Sequence, residues 1–177
     1  MIILYTKKLQ ELLEIPGRGI PLPEATNEDA YWHGNIFLYK RKKVLQLTHE
    51  KTRYTIFIHG ITKKDIKNIN KLIVDNLKYN LLKDGVPLSD MIYILSLSNA
   101  FSFFKRTDRK VLGTMNNMRD IYEHLCETNS TIDDKIFSHY INNMLFQVDG
   151  KYKEPAIAFK EYMCEATLAY NFIKEEL

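Results

Sequence analysis

The spacing of apolar residues changes along the chain from a period of two to a helical period. Between Tyr31 and His59 apolar and polar positions alternate, and the short polar runs KRKK and HEK interrupt the alternation. This arrangement predicts three consecutive antiparallel strands joined by tight turns, which is a meander. Strands are also predicted at 2–5 and at 100–104, and the second of these is expected to extend the meander as a fourth strand.

Helical spacing dominates the rest of the chain. Thr62 followed by Asp65 resembles a capping box, and apolar residues then recur at every third or fourth position until Gly85, where the helix is expected to end. Pro87 is expected to open a second helix. Further helices are predicted at 7–13, 114–126, 131–146 and 155–176, with Phe137, Phe159, Met163 and Phe172 among their core-facing residues.

These elements predict an α+β fold, in which a small, mostly antiparallel sheet packs against helices and a helical C-terminal region follows. The length of 177 residues fits one ordinary domain with room for an appendage. We therefore expect an α+β domain over residues 1–126. Residues 127–177 are expected to form a helical extension that packs on the same core.

Strand alternation assigns the side chains of the segment YWHGNIFLY to two faces. The face expected to meet the core carries Trp32, Ile36 and Leu38. The opposite face carries Tyr31, His33, Asn35, Phe37 and Tyr39. Two interpretations of this aromatic face stay open: a helix covers it, or it stacks the bases of a single nucleic-acid strand beside the basic turn.

Composition and the N-terminal residues narrow the class of protein. The chain is 45% hydrophobic and 27% charged, which is typical of a folded globular domain. The apolar start stops at Tyr5, too early for a secretory signal, and no apolar run reaches the roughly 18 residues that a membrane span needs. We expect a cytoplasmic protein without a membrane partner, in which Cys126 and Cys164 are reduced.

Charge is distributed unevenly along the chain. The formal charge is +8 over residues 1–118 and −5 over residues 119–177, and these values add to the net +3 of the whole chain. Clustered lysines and arginines attract anionic partners. The alternative is a solvated basic surface that the acidic C-terminal helices partly neutralise.

The sequence lacks the common catalytic and metal-binding motifs. It contains no GxxxxGK[ST], GxGxxG, GxSxG or HExxH motif, and its histidines and cysteines lack the spacing of a zinc site. No metal and no cofactor are therefore expected. His33, His49 and His59 lie on or beside predicted strands, so two of them are candidates for the acid and base of a metal-free, ribonuclease-like site. The alternative is that they occupy a partly exposed face of the sheet.

The segment from Phe104 to Met118 is the strongest candidate for a binding site. A helix is expected to start near Thr114, which would leave the main-chain amides after Gly113 open to an anion beside a cationic turn. The alternative is that Thr114 only caps the helix and the charges decorate the surface. The candidate ligand-binding residues of this segment are Lys105, Arg106, Arg109, Gly113, Thr114 and Asn116.

Three short motifs resemble those of a family of uncharacterised prokaryotic domains. The first is TKKL, which begins at Thr6, and the second is a W-x-x-N strand from Trp32 to Asn35. The third is RKVLGTMNN, which begins at Arg109 where the family shows R-S-x-L-G-S-M-N-D. The resemblance covers about residues 1–126, and its matching positions add Lys7 and Asn35 to the candidate ligand-binding residues.

The resemblance implies a setting rather than a mechanism. Domains of this family occur joined to proteins like the third open reading frame of plasmid pRiA4b, which implies a plasmid or mobile-element context. The chain differs from the family pattern at Lys110, Thr114 and Asn117. Because Asn117 replaces the final aspartate, a carboxylate at that position is not available as a base or a metal ligand.

The preferred hypothesis is a non-enzymatic cytoplasmic domain that binds an anionic partner, with nucleic acid as the candidate, through residues 105–117 and the neighbouring basic turns. One alternative is a small metal-independent nuclease or other phosphoryl-transfer enzyme that uses Arg109 and a strand histidine. The other alternative is a homodimeric interaction module, in which the acidic C-terminal helices meet the basic half of a second copy.

Overall fold

A five-stranded sheet lies at the centre of the residues that this computed structural model describes, which are 1–15, 27–106, 108–129, 136–148 and 150–175. Its strands are β1 (Ile2–Tyr5), β2 (Tyr31–Tyr39), β3 (Lys42–His49), β4 (Thr55–Ile61) and β5 (Ser102–Phe104). Their order across the sheet is β4-β3-β2-β1-β5. With helices on both faces of this mostly antiparallel sheet, the predicted α+β class is confirmed.

The three long strands form the predicted meander, whereas the two short strands pair in parallel. β2 pairs antiparallel with β3, and β3 with β4. β1 pairs in parallel with both β2 and β5. The prediction of a fourth meander strand at 100–104 is therefore wrong. The helical segment between β4 and β5 is long enough to carry the chain across the sheet to the opposite edge, as a parallel pairing requires.

Seven α-helices, a short 3₁₀ helix (Glu28–Ala30) and one hairpin are the other elements of the described residues. The helices are α1 (Lys7–Leu12), α2 (Lys63–Ile66), α3 (Ile69–Lys83), α4 (Leu88–Ser96), α5 (Arg109–Thr128), α6 (Ile136–Asn142) and α7 (Pro155–Glu175), and the hairpin strands are β6 (Phe146–Val148) and β7 (Lys151–Lys153). The predicted capping box of Thr62 and Asp65 is present at α2. Gly85 has a φ of 68°, so it makes the left-handed turn expected after α3.

Three helices differ from the prediction. The single helix predicted from Thr62 to Gly85 is divided into α2 and α3. α5 begins at Arg109, five residues before the predicted start at Thr114. The helix predicted over 131–146 is shorter, because α6 ends at Asn142 and residues 146–148 form strand β6. Residues 131–135 of that prediction lie outside the described residues.

One face of the sheet packs against α1, α3, α4 and α7 in the larger apolar cluster. Trp32 lies in this cluster as predicted, with its ring edge-on to those of His49 and Phe159. Phe159 and Met163 of α7 are fully buried there. Phe172, however, is 63% exposed, so its predicted place in the core is wrong. The buried part of α7 ends at Thr167, and the helix continues past the sheet.

The other face of the sheet packs against α5 and α6. Phe37 and Phe57 meet Tyr122 of α5 and Phe137 of α6 in a second apolar cluster. The rings of Phe57 and Tyr122 are stacked with centroids 4.5 Å apart. Of the two interpretations of the aromatic face, the covering helix is therefore confirmed for Phe37 and Tyr39, both of which are buried.

Leu38 does not occupy the core position that strand alternation predicts. Its side chain points to the same face as Ile36, but it is 67% exposed. Both residues line an open groove between α1 and α2, because the helices that cover Trp32 do not extend over this end of β2. Strand alternation therefore predicts correctly which face of the sheet Leu38 points to. Whether that part of the face is buried depends on where the helices lie.

Side chains of α6 cover the backbone of the edge strand β4. The Asn142 side-chain amide donates to the carbonyl of Thr55 and accepts from its N–H, both at 2.8 Å. The Ser138 hydroxyl accepts from the N–H of Phe57 at 2.9 Å. These bonds replace those that a neighbouring strand would make, and so they protect the edge from pairing with another chain.

Candidate anion-binding groove

The start of α5 is closed by the chain's own carboxylate. The Asp108 side chain accepts hydrogen bonds from the backbone N–H groups of Lys110, at 2.7 Å, and Val111, at 3.0 Å. Gly113 and Thr114 therefore lie inside the helix, and the predicted open helix start at these residues is wrong. Aspartate is as good an N-cap as threonine, and one glycine inside a helix costs only about 1 kcal/mol.

The charge environment of Asp108 follows from this position. The two backbone N–H groups hold the pKa of its carboxyl below the usual value, and electrostatic interactions with His33 and Arg53 act in the same direction. A carboxylate at a helix N-terminus is also favoured by the helix dipole. Asp108 is thus ionised at neutral pH. It binds the amides at the true start of α5, whereas the sequence predicts an external anion at amides after Gly113, which lie inside the helix.

A groove of about 680 Å³ runs instead along the side of α5. One wall is the first half of α5, and the other is the β6–β7 hairpin. Three of the predicted ligand-binding residues line it: Arg109, Gly113 and Thr114. The structure therefore brings these three together, although by a different route from the one predicted. We call this feature the α5–hairpin groove.

The α5–hairpin groove is cationic. Arg53, Arg109 and Lys110 line it, and no carboxylate is found among its described lining residues. Arg109 and Lys110 are exposed, whereas Arg53 is 7% exposed. A cleft lined by one sign of charge concentrates ions of the opposite sign.

Arg53 reaches the groove from a left-handed turn. It precedes β4 with a φ of 64°, and its backbone N–H donates to the carbonyl of His49 at 3.0 Å. This conformation is uncommon for a side chain as large as arginine. The turn places a buried guanidinium below the exposed cations of α5, a placement that local sequence patterns do not predict.

Polar and apolar side chains complete the groove. Asn117 of α5 and Gln147 of β6 supply amides. Tyr152 of β7 is 75% exposed, and Leu145, just before β6, is also mostly exposed. An exposed tyrosine beside cations suits a ligand that combines a flat ring with negative charge, because one end of its side chain is apolar and the other is polar.

Arg106 belongs to a different cluster. Its guanidinium donates to Glu50 at 3.5 Å and lies 5.9 Å from the centre of the Tyr31 ring. Glu50 also binds the buried His33 at 3.0 Å. The hydrogen bond with His33 is the main cause that lowers the pKa of the Glu50 carboxyl, and electrostatic interactions with His33, Arg106 and Lys51 act in the same direction. Arg106 is therefore committed to an internal carboxylate.

The remaining predicted ligand-binding residues are dispersed. Lys7 and Lys105 line a separate shallow depression of about 480 Å³, and Lys7 lies 3.9 Å from Glu11. Asn35 accepts a hydrogen bond from the Thr6 hydroxyl at 2.9 Å. Asn116 is exposed on α5 but is not among the described residues that line the groove.

The three strand histidines have separate partners. His33 binds Glu50, and His59 binds the hydroxyl of Tyr122 at 2.9 Å on the same face of the sheet. His49 points to the opposite face, where burial lowers its pKa to about 4. None of the three is among the described residues that line the α5–hairpin groove. The ribonuclease-like hypothesis requires such a histidine next to Arg109, and the described groove does not supply one.

The hairpin wall of the groove was missing from the sequence prediction. Residues 146–153 are predicted there as a helix end and a loop, whereas Val148 pairs with Lys151 in an antiparallel hairpin. The dipeptide Asp149-Gly150 between FQV and KYK is a hairpin signal. Strands of three residues are too short to show alternation, so this dipeptide is the one local sign of the wall.

Two kinds of feature are absent from the part of the chain that the structure describes. Within them, no group of three or more histidine, cysteine, aspartate or glutamate side chains is arranged to hold a metal ion. Among the described helices, none has the length and apolarity needed to cross a membrane.

Comparison with known proteins places the chain in a family. Residues 2–158 match the model of the family described as Domain of unknown function (DUF6933). The chain therefore belongs to this family, which agrees with the resemblance to an uncharacterised domain family. The match includes the sheet, α5, the β6–β7 hairpin and the first residues of α7. No curated protein and no solved structure matches the chain.

Proposed function

We propose that this DUF6933 domain binds single-stranded nucleic acid in the α5–hairpin groove. The observation that carries the proposal is the combination of three cations, Arg53, Arg109 and Lys110, with the exposed ring of Tyr152 in one groove whose described lining contains no carboxylate. Single strands are bound by proteins in this way, with a positive groove along the backbone and aromatic side chains against the bases.

Each part of the groove has a role in this proposal. Arg109 and Lys110 contact phosphates at the open rim, and Arg53 adds a fixed charge at the base. Tyr152 and Leu145 offer the apolar surface against which a base stacks. A duplex keeps its bases stacked on one another and cannot use Tyr152 in this way, so single strands are expected to bind more tightly than duplexes of the same length.

Binding to a dye-labelled single-stranded oligonucleotide, followed by fluorescence anisotropy, tests the proposal. Affinity is expected to fall steeply between about 50 and 200 mM salt, because phosphate neutralisation releases counterions. Removal of one phosphate contact by Arg109→Ala is expected to reduce the slope of log affinity against log salt by about 0.7. Tyr152→Ala is expected to weaken binding roughly 5- to 150-fold, the range measured for loss of one stacked base.

Matched variants on α3 separate the groove from general surface charge. Lys78 is an exposed helical lysine and Tyr79 an exposed tyrosine, and neither lines the groove. Lys78→Ala and Tyr79→Ala are expected to bind like the unaltered chain, whereas Lys110→Ala and Tyr152→Ala are weakened. Absence of binding at the lowest salt, or equal losses for the α3 and groove variants, contradicts the proposal.

The cellular context is a separate proposal with its own tests. We propose a cytoplasmic domain without catalytic activity, in the plasmid or mobile-element setting that the motifs at Thr6, Trp32 and Arg109 imply by resemblance. The genes next to those of family members test the setting. Cleavage of the labelled oligonucleotide during the binding assay would favour the phosphoryl-transfer alternative instead.

A further inference from the structure

The last turns of α7 extend beyond the core and expose apolar side chains. Every residue from Leu168 to Lys174 is exposed, and Leu168 and Phe172 expose 65% and 63% of their surface. Tyr170 and Ile173 are also exposed in the same two turns. The Tyr170 ring packs against Tyr93 of α4, with centroids 5.1 Å apart, whereas Leu168 and Phe172 are mostly exposed. Contiguous apolar surface of this kind usually marks an interaction site.

A second unpartnered apolar surface lies at the opposite end of β2. A groove of about 930 Å³ between α1 and α2 has a floor of Leu12, Leu13, Ile36, Leu38 and Ile66. We call it the lysine groove, because Lys8, Lys43, Lys63 and Lys67 lie around this floor; the other charged lining residues are Arg119, Glu11, Glu14 and Glu123. The exposed Leu38 marks the part of the sheet face that no described helix covers.

The four lysines of the lysine groove form no ion pair with a described acidic residue. Of the three carboxylates that line the groove, Glu11 pairs with Lys7 and Glu123 with Arg119. The described lining is cationic on balance, with five Lys and Arg side chains against three Glu side chains. An apolar floor with an excess of cations around it suits an amphipathic segment that carries carboxylates beside its apolar residues.

The terminal turns of α7 have that chemistry. Residues 161–177 contain four glutamates and one lysine. Glu165, Leu168 and Phe172 follow one another at helical spacings of three and four, so they share one stripe of α7. This stripe presents two apolar side chains and, one turn earlier, an exposed carboxylate.

We propose that the terminal turns of α7 of one copy dock into the lysine groove of a second copy. Leu168 and Phe172 cover the apolar floor around Leu38, and Glu165 faces the lysines. The interface joins two different surfaces of the chain, so a single contact of this kind is heterologous. If a twofold axis relates the two copies, each copy inserts its α7 end into the groove of the other and a closed dimer forms. None of its residues lines the α5–hairpin groove, so the two proposals stand or fall separately.

Sedimentation velocity of the full chain, at concentrations from about 1 to 300 μM, tests this proposal in the range of weak protein–protein affinities. The unaltered chain is expected to pass from monomer to larger species over this range. Phe172→Asp and Leu38→Asp each place a charge in the contact and are expected to weaken association more than tenfold. Leu82→Asp, at an equally exposed leucine of α3, serves as the matched control and is expected to have no effect.

A mixture of the two variants gives the decisive result. Phe172→Asp retains an intact groove and Leu38→Asp an intact α7 end, so equal amounts together are expected to form a heterodimer although neither associates alone. A chain that stays monomeric throughout overturns the proposal. So does full association of Leu38→Asp, because the α7 ends would then pair with each other rather than with the groove.

Discussion

Replacement of Asn142 by alanine tests how the edge of the sheet is protected. The Asn142 amide makes two buried hydrogen bonds to the backbone of Thr55, and the Ser138 hydroxyl makes one to the backbone of Phe57. Asn142 and Ser138 are fully buried. Asn142→Ala therefore leaves one N–H and one C=O of β4 without a partner, whereas Ser138→Ala leaves a single N–H.

The expected losses follow from these bonds. A buried polar group without a partner costs about 1–3 kcal/mol. We expect Asn142→Ala to lower the free energy of unfolding by about 2–6 kcal/mol and Ser138→Ala by about half as much. The lower ends of these ranges apply if water enters the space that the truncated side chain leaves.

Urea unfolding followed by the fluorescence of the single tryptophan, Trp32, measures these losses, because its ring is buried in the folded chain. Asn116→Ala, at an exposed position of α5, provides the matched control for the higher helix propensity of alanine. It is expected to be neutral or slightly stabilising. A loss for Asn142→Ala no larger than that for Ser138→Ala would refute the account of α6 as the cover of the edge strand.

Three further predictions concern stability. Burial lowers the pKa of His49 from 6.5 to about 4, so the unfolded chain takes up a proton at a higher pH than the folded chain. The free energy of unfolding should therefore fall by about 3 kcal/mol between pH 6.5 and pH 4. His49→Gln should flatten this part of the plot of unfolding free energy against pH, and the exposed His124→Gln should not. Gly34→Ala should cost about 1–3 kcal/mol in the same urea assay, since its Cβ would lie 2.5 Å from Leu9 Cδ2. Asp108→Ala should lower the free energy of unfolding by about 1 kcal/mol, because the N-cap of α5 is lost. Asp108→Asn should keep most of that stability, because asparagine is also a good N-cap.

At the start of α5 the local composition and the buried stripe of the helix indicate different N-caps. Gly113 followed by Thr114 has the composition of a turn and a cap, but the buried residues of α5 recur at Val111, Met115, Met118 and Tyr122. That stripe begins before Thr114 and agrees with Asp108 as the cap. Both Asp108 and Thr114 are suitable N-cap residues. The packing of the apolar stripe of α5 against the sheet favours Asp108, because a helix that began at Thr114 would leave Val111 outside it.

The candidate groove was only partly predictable for the same reason. The local composition predicts Arg109, Gly113 and Thr114 as binding residues, and these three share a groove. It does not predict Arg53 and Tyr152 as binding residues, because they come from a turn and a hairpin that are distant from α5 in the chain. Arg106 has the same charge as Arg109, yet it is bound to Glu50, and the spacing of residues around it does not reveal that partner.

The order of polar and apolar residues by itself determined the meander, the capping box of α2 and the side chains of β2 that face each way, because these features depend on neighbouring residues. Tertiary structure decided the rest. It placed β5 parallel to β1, left Leu38 and Phe172 exposed, and set the β6–β7 hairpin opposite α5. These outcomes depend on which distant surfaces bury each other, and local periodicity carries no record of that choice.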